Sequence, residues 1–470
     1  MMNLILVILF PIITLVFLPI KKTNRLLFFV LSIISALVCI SLSFKIDLNT
    51  NISVPSISFI LIVDKISRIF LILISCTWLI SIIFTYDYGK YNFIEKQCQF
   101  FLFINILLSV VMINVCAGNL TTLFIFYTIG IPLTYPLLNI RNTEESKKAS
   151  SRFIKQTLLP SFLIFLPAII ITEIILGHID FNTTITLGSK NINPLIGGGL
   201  LSMYVIGISK NSVFPFSTWL PGTNSAPAPV SGLIHSVATV KTGSIALMKI
   251  SIYIFGLDYI HKLTSDFFTG GWLIYLCGLT AVYTAVKAFM TDDLKKRFTY
   301  STVGQLSYII LAILIGTKTG IIGGLLHIVT HAIAKSCLFY VVGFYSSVYS
   351  TVSAKQIGKI IPSTRFIAFV IAVCGLSIAG FPFLAGYYSK DIMLIEEWNN
   401  HYYASAIFLV LGAIINIFYI IGPVKNAFNA PSSDIVIKPV PLSMMIVYII
   451  SIILLIGANF YISFLTLLIK

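Results

Sequence analysis

The chain has 470 residues, of which 57% are hydrophobic and only 10% charged, with a mean hydropathy of +0.99. Such a composition excludes an ordinary soluble domain and puts the chain in a lipid bilayer. A net charge of +15 would suit nucleic acid, but the basic residues fall in alternate loops between apolar runs and instead set topology.

Apolar runs long enough to span recur from end to end, about fourteen in all. They cover roughly 3–20, 26–44, 66–85, 99–117, 120–139, 157–177, 195–217, 229–255, 271–290, 300–316, 319–345, 364–385, 402–424 and 441–464. The first run is closed by Lys21, Lys22 and Arg25 with no small-residue cleavage site after it, so it reads as a retained span rather than a secretory signal. Lys90 and Lys96, then Arg141, Lys147, Lys148, Arg152 and Lys155, then Lys295, Lys296 and Arg297 fill alternate loops. Lys355, Lys359 and Arg365, then Lys425 and Lys438, continue the series. The opposite loops carry mostly single lysines: Lys45, Lys190, Lys262 and Lys318. The positive-inside rule makes the first set cytoplasmic and puts both termini outside. The largest loops, near 45–56, 140–156, 178–194 and 257–270, are too short for a separate soluble domain.

Phe214-Pro215-Phe216 interrupts the seventh span, and Phe381-Pro382-Phe383 interrupts the twelfth. Proline removes a backbone donor and breaks the helical ladder, and in a bilayer such breaks survive only in protein or beside a cavity. Paired broken helices five spans apart point to a transporter built from repeats. A lysine accompanies each break, Lys210 before the first and Lys390 after the second.

His327, His331 and Lys335 stand at i, i+4 and i+8 within an apolar stretch and so share one helix face. Titratable groups inside a membrane helix are costly and mark ion or proton paths. Lys210 lies mid-span and Lys241 inside the eighth span, and both are candidate proton carriers. His235 is a candidate relay, with a backbone hydrogen bond as the alternative. Lys249 and Lys318, near span ends, are expected to snorkel to the headgroups. Asp64 and Asp293, at span ends, are expected to cap helices or pair with lysines. Cys39, Cys76, Cys98, Cys116, Cys277, Cys337 and Cys374 show no CxxC spacing and read as small packing residues. No phosphate loop or nucleotide fingerprint is present, so no cofactor, metal or nucleic-acid partner is expected.

Several segments carry a family resemblance. Ser209-Lys210-Asn211-Ser212-Val213-Phe214-Pro215-Phe216-Ser217-Thr218-Trp219-Leu220-Pro221 is followed by Ala226-Pro227-Ala228-Pro229 and by His235-Ser236-Val237-Ala238-Thr239-Val240-Lys241. Asp293-Leu294-Lys295-Lys296-Arg297, the segment from Tyr300 to Tyr308, the His327/His331/Lys335 stripe, and Gly380-Phe381-Pro382 through Lys390-Asp391 follow in order. This resembles the antiporter-like membrane subunits shared by Mrp-type cation/proton antiporters, respiratory complex I and membrane-bound hydrogenases.

The resemblance implies an all-α polytopic membrane protein of fourteen helices. Two inverted five-helix repeats carry the broken helices 7 and 12, and a central file of charge and water carries protons. The implied divisions are 1–98, 99–255, 256–424 and 425–470. It further implies a non-redox subunit with other membrane subunits as partners, and protons and a monovalent cation as cargo. A bacterial inner membrane is favoured over a mitochondrial one. The chain stops at Lys470 after the fourteenth span, so the long lateral helix of the largest members is not expected. The wording around His235–Lys241 and Trp219-Leu220-Pro221-Gly222 leans toward the Mrp D-type subunit. Alternatives are a proton-pumping subunit of NADH:quinone oxidoreductase, the hydrogenase version, and a non-conducting paralog. One departure motivates the last. The family's fifth-span glutamate is replaced by Thr128 in Phe124-Ile125-Phe126-Tyr127-Thr128, and threonine cannot supply the charge. Glu173 is a weaker substitute, read as an interfacial acid.

Overall fold

The computed structural model describes residues 1–20, 24–54, 58–91, 96–348, 353–355, 357, 364–428, 439–458 and 462–463. Lys21, Lys22, Lys359, Lys438 and Lys470, used above for topology, lie outside the described residues. The chain folds almost entirely into helices, nine of which, among the described residues, are long and apolar enough to cross a membrane. Shorter apolar helices run over Met2–Phe17, Pro194–Gly207, Arg365–Ala379 and Leu442–Ile456. The outer surface is apolar where lipid would lie, with Phe268, Leu279, Ile174 and Leu163 exposed. The helix Lys318–Ser347 is the opposite case: its apolar window is 100% buried. That burial makes it the axis of the molecule, packed against Ala228–Leu233, Leu294–Leu314 and Ala385–Asn399.

Two segments read as loops are structured. Residues within 45–56 supply Asn51–Val54, which pairs antiparallel with Phe59–Ile62 in a β-hairpin. The hairpin lies against the fourth and fifth spans through Ile62 N to Cys116 O and Gly118 N to Ile60 O. Its short Ile-Ser-Val and Phe-Ile-Leu-Ile runs lack the length of a helical period, which hid them. The loop near 140–156 is instead the start of a 33-residue helix, Glu144–Leu176. Thr143 and Ser146 form a capping box at its start, and Glu144 and Glu145 favour the positive end of the helix dipole.

The chain leaves the helical path at both proline segments. After Pro194–Gly207 it makes a tight turn over Ser209–Asn211, with Ser212 left-handed at φ 54°, before Trp219–Gly222. After Thr364–Ala379 it turns through Gly380 at φ 89° and Phe383 at φ 68°, then restarts as Ala385–Asn399. Gly380 is required on two counts: its positive φ, and a Cβ there would stand 2.9 Å from Lys390 Cδ. A third irregularity is a wide π turn over Ile234–Ala238, which carries His235; such turns often mark functional positions.

Candidate functional site

All seven titratable candidates, Lys210, His235, Lys241, His327, His331, Lys335 and Lys390, are buried, none more than 5% exposed. Lys210 sits on the turn between the two parts of the broken span. Its Nζ donates to the Tyr127 carbonyl at 2.7 Å and lies 4.1 Å from the Tyr127 ring centroid. The ring face and carbonyl thus provide the negative potential around the ammonium. Gly130 lies beside the ammonium, its Cβ position 3.4 Å from Nζ, an ordinary contact distance.

Thr128, expected from the resemblance to stand where an acid would be, donates to the Phe124 and Ile125 carbonyls of its own helix. Glu173 does not take over the role. It accepts from Thr121 at 3.2 Å and lies 3.6 Å from His178, and Thr121 is roughly 9 Å of helix rise from Tyr127.

Asn211, next to Lys210, packs on the helix that carries Lys241. Asn211 Oδ1 accepts from Ser244 at 3.1 Å, and Gly243 packs directly on Asn211. Lys241 Nζ has no hydrogen-bond partner among the described residues, yet it is within electrostatic reach of His331 and Lys335. His235 stacks on Phe339, with centroids 4.2 Å apart, one turn along the axial helix from Lys335. Its Nδ1 also has no hydrogen-bond partner among the described residues. The backbone hydrogen bond considered for this side chain is not formed at that nitrogen.

On the axial helix the His327 and His331 ring centroids are 6.1 Å apart. His327 is clamped from two sides, Nδ1 to Ser389 Oγ at 3.0 Å and Nε2 to Gln305 Oε1 at 3.1 Å. Neither ring nitrogen of His331 has a hydrogen-bond partner among the described residues. Lys335 Nζ donates to the Phe298 carbonyl at 2.8 Å. Lys390 Nζ donates to the Ala379 carbonyl at 3.3 Å and lies 4.9 Å from the Tyr308 ring centroid. Four lysines and three histidines therefore run from one break to the other; Lys210, Lys335 and Lys390 donate to backbone carbonyls, His327 is held by a hydroxyl and an amide, and Lys241 and His331 have no hydrogen-bond partner among the described residues. Like charges at this spacing in a dry interior cannot all be held at once, so protonation at one member is coupled to its neighbours.

Sequence reasoning missed the groups that hold the file: Tyr127, Gln305, Ser389 and Tyr308, and the buried acid Glu397. Gln305 was visible as a lone amide in an apolar run; Tyr127 acts through its carbonyl, which no side-chain pattern reports. Two expectations need correction. Lys249 does not snorkel: it is 1% exposed, pairs with Asp64 at 3.4 Å and donates to the Ala117 carbonyl at 3.1 Å. Lys295 and Arg297 are not free loop charges. Lys295 donates to the Asn224 and Ala226 carbonyls, and Arg297 to the Thr291 and Tyr419 carbonyls. Asp64 and Asp293 stand as expected: Asp64 accepts from Ser67 N and makes its ion pair with Lys249, and Asp293 accepts from Lys296 N at the start of its helix.

A cavity of about 450 Å³ opens beside the first break, lined by Arg152, Thr218, Gly222, Asn224, Lys296 and Tyr300 among others. Among the described residues no three His, Cys, Asp or Glu side chains converge to hold a metal ion.

The fold is similar to a chain of the membrane-bound sulfane sulfur reductase, an archaeal respiratory membrane complex (TM-score 0.85, 19% identity, 98% of this chain and 96% of that one). It is also similar to a chain of respiratory complex I from Thermus thermophilus (TM-score 0.83, 16% identity, 99% and 96%). Among sequence relatives, the D subunit of a Na(+)/H(+) antiporter from Alkalihalophilus pseudofirmus is 24% identical over 76% of this chain and 70% of its own length. The A/B subunit of a probable K(+)/H(+) antiporter from Rhizobium meliloti is 26% identical over 67% of this chain, but the match spans only 31% of that protein. NADH-ubiquinone oxidoreductase chain 5 from Apis mellifera ligustica is 31% identical over 49% of this chain and 40% of its own length. Residues 117–416 match the family model described as NADH:quinone oxidoreductase/Mrp antiporter, TM; with more than half its length inside that model, the chain belongs to this family of membrane subunits.

Proposed function

We propose that the chain is the proton-translocating subunit of a multisubunit monovalent cation/proton antiporter of the Mrp D type, with sodium as the favoured cation. One observation carries the reading: seven buried titratable groups form a file in which His235 Nδ1, Lys241 Nζ and both His331 nitrogens have no partner among the described residues. Free donors and acceptors in a dry interior are expensive, and a chain of them is what a transferred proton and bridging water would use.

In this reading protons enter from the cytoplasmic side by the cavity at the first break and pass Lys210, Lys241 and His235. They cross by His327, His331 and Lys335 and leave near Lys390. Two inverted five-helix repeats, 99–255 and 256–424, form the two halves of a fourteen-helix chain, flanked by 1–98 and 425–470. Both termini lie outside a bacterial inner membrane, and the partners are further membrane subunits of the same assembly. The D-type choice is supported by a match covering 70% of the D subunit of a Na(+)/H(+) antiporter.

The second reading, a proton-pumping subunit of NADH:quinone oxidoreductase or of a hydrogenase, is favoured by the likeness to complex I. A third, a non-conducting paralog, is favoured by Thr128. Purifying the native assembly and loading it into vesicles separates them. Sodium-driven proton movement is expected. Movement driven only by NADH and quinone would support the second reading, and none under either drive the third.

A further inference from the structure

From the geometry beyond Lys390 we infer that Glu397 is the terminal proton-accepting group of the second half, passing protons from Lys390 to the outer side. This rests on the proton-path reading above and extends it by one residue. Among the described residues the only buried carboxylates are Asp87 and Glu397. Asp87 is occupied by Lys90 at 2.6 Å and by Ser443 at 2.8 Å. Glu397 is fully buried, forms no ion pair among the described residues, and uses one oxygen only: Oε1 accepts from Ser405 at 2.7 Å, while Oε2 has no partner. An intramembrane carboxyl with a free oxygen is costly to retain for packing alone.

Its placement joins it to the file. Lys390 and Glu397 are seven residues apart on Ala385–Asn399, so they share a face about 10 Å apart along the axis. Tyr308 stands beside the interval. Its ring lies under Lys390 Nζ at 4.9 Å, and it is within electrostatic reach of Glu397. Its hydroxyl is buried, has no hydrogen-bond partner among the described residues, and is fitted against Gly412 where any Cβ would collide with it. On the other side of Glu397 the surface is one turn away, with Trp398, Asn399 and His401 exposed. Tyr402 donates its backbone N–H to the Glu397 carbonyl at 2.8 Å, and its hydroxyl lies 3.1 Å from His261 Nδ1. Glu396 and Asp391 are the remaining charged side chains on this helix besides Lys390.

The step balances simply. The Lys390 ammonium gives up a proton, carried by the Tyr308 hydroxyl or by water, to Glu397 Oε2. A neutral amine and a neutral carboxylic acid result, and release of that proton to outer water restores the carboxylate.

The test uses the complete assembly in vesicles, with membrane abundance measured for each variant. Glu397→Gln keeps the shape and the Ser405 bond but cannot carry a proton; exchange should fall by at least about tenfold, and Glu397→Asp should recover part of it. Wild-type exchange in Glu397→Gln overturns the inference. If Glu397→Gln does not assemble, Ser405→Ala strips the acid's hydrogen bond and should slow exchange by about fivefold; an unchanged rate overturns the inference. Lys335→Met separates the two levels. Intact exchange in Lys335→Met with loss in Glu397→Gln removes the axial route and leaves the terminal acid standing, whereas intact exchange in both removes both.

Discussion

The Asp64–Lys249 pair offers a quantitative check on how charges are held in this fold. The ammonium is 1% exposed and the carboxylate 14%, separated by 3.4 Å. At an effective dielectric near 20 the attraction is roughly 5 kcal/mol, and removing one partner of a buried pair typically costs about 3–5 kcal/mol. Two features reduce that figure. Asp64 borders an open cavity of about 640 Å³, and Lys249 keeps the Ala117 carbonyl when the carboxylate is gone. Asp64→Asn retains the cap on Ser67 N and so isolates the charge, as Lys249→Met does from the other side. Each single change should destabilise by about 2–4 kcal/mol, and the double change by about 1 kcal/mol or less. Thermal or denaturant unfolding of the purified assembly, analysed as a double-mutant cycle, measures the coupling. Additive effects, with a coupling near zero, would show that the pair is no more than an exposed surface contact.

Other consequences follow from the same geometry. Gln305→Leu removes the acceptor at His327 Nε2 and should lower exchange by about fivefold, the worth of one such hydrogen bond, while membrane abundance stays normal. Thr128→Glu restores an acid on the helix that holds Lys210 and should alter the pH profile of exchange; an unmoved profile means that position 128 does not sense Lys210. A reporter at 141–143, ahead of the helix Glu144–Leu176, should be cytoplasmic and one fused after Lys470 outside, and Lys147 reacting with an outer-face reagent would reverse the proposed direction.

The broad architecture was legible because it follows from physics that acts along the chain. Span-length apolar runs, proline breaks and the i, i+4, i+8 stripe are local patterns, and the helices and turns stand where those patterns lie. What was missed depends on partners distant in sequence. Lys249 looks like a snorkelling lysine until Asp64, 185 positions earlier in the numbering, is folded against it. Lys295 and Arg297 count as loop charges until their carbonyl acceptors arrive from other segments. Glu397 precedes Trp398-Asn399-Asn400-His401, so its neighbours in sequence advertise a solvated helix end although its own side chain is fully enclosed. The hairpin at 51–62 was hidden by its brevity, and the role of Tyr127 by being a backbone one.

The most direct measurement is proton exchange by the complete assembly carrying Lys335→Met. The substitution preserves the length and apolar body of a side chain whose ammonium is wholly buried and bonded to the Phe298 carbonyl. If the axial file carries protons, exchange should drop by about a hundredfold with assembly and abundance unchanged. Exchange at the wild-type rate would contradict the account and reduce the stripe of His327, His331 and Lys335 to packing.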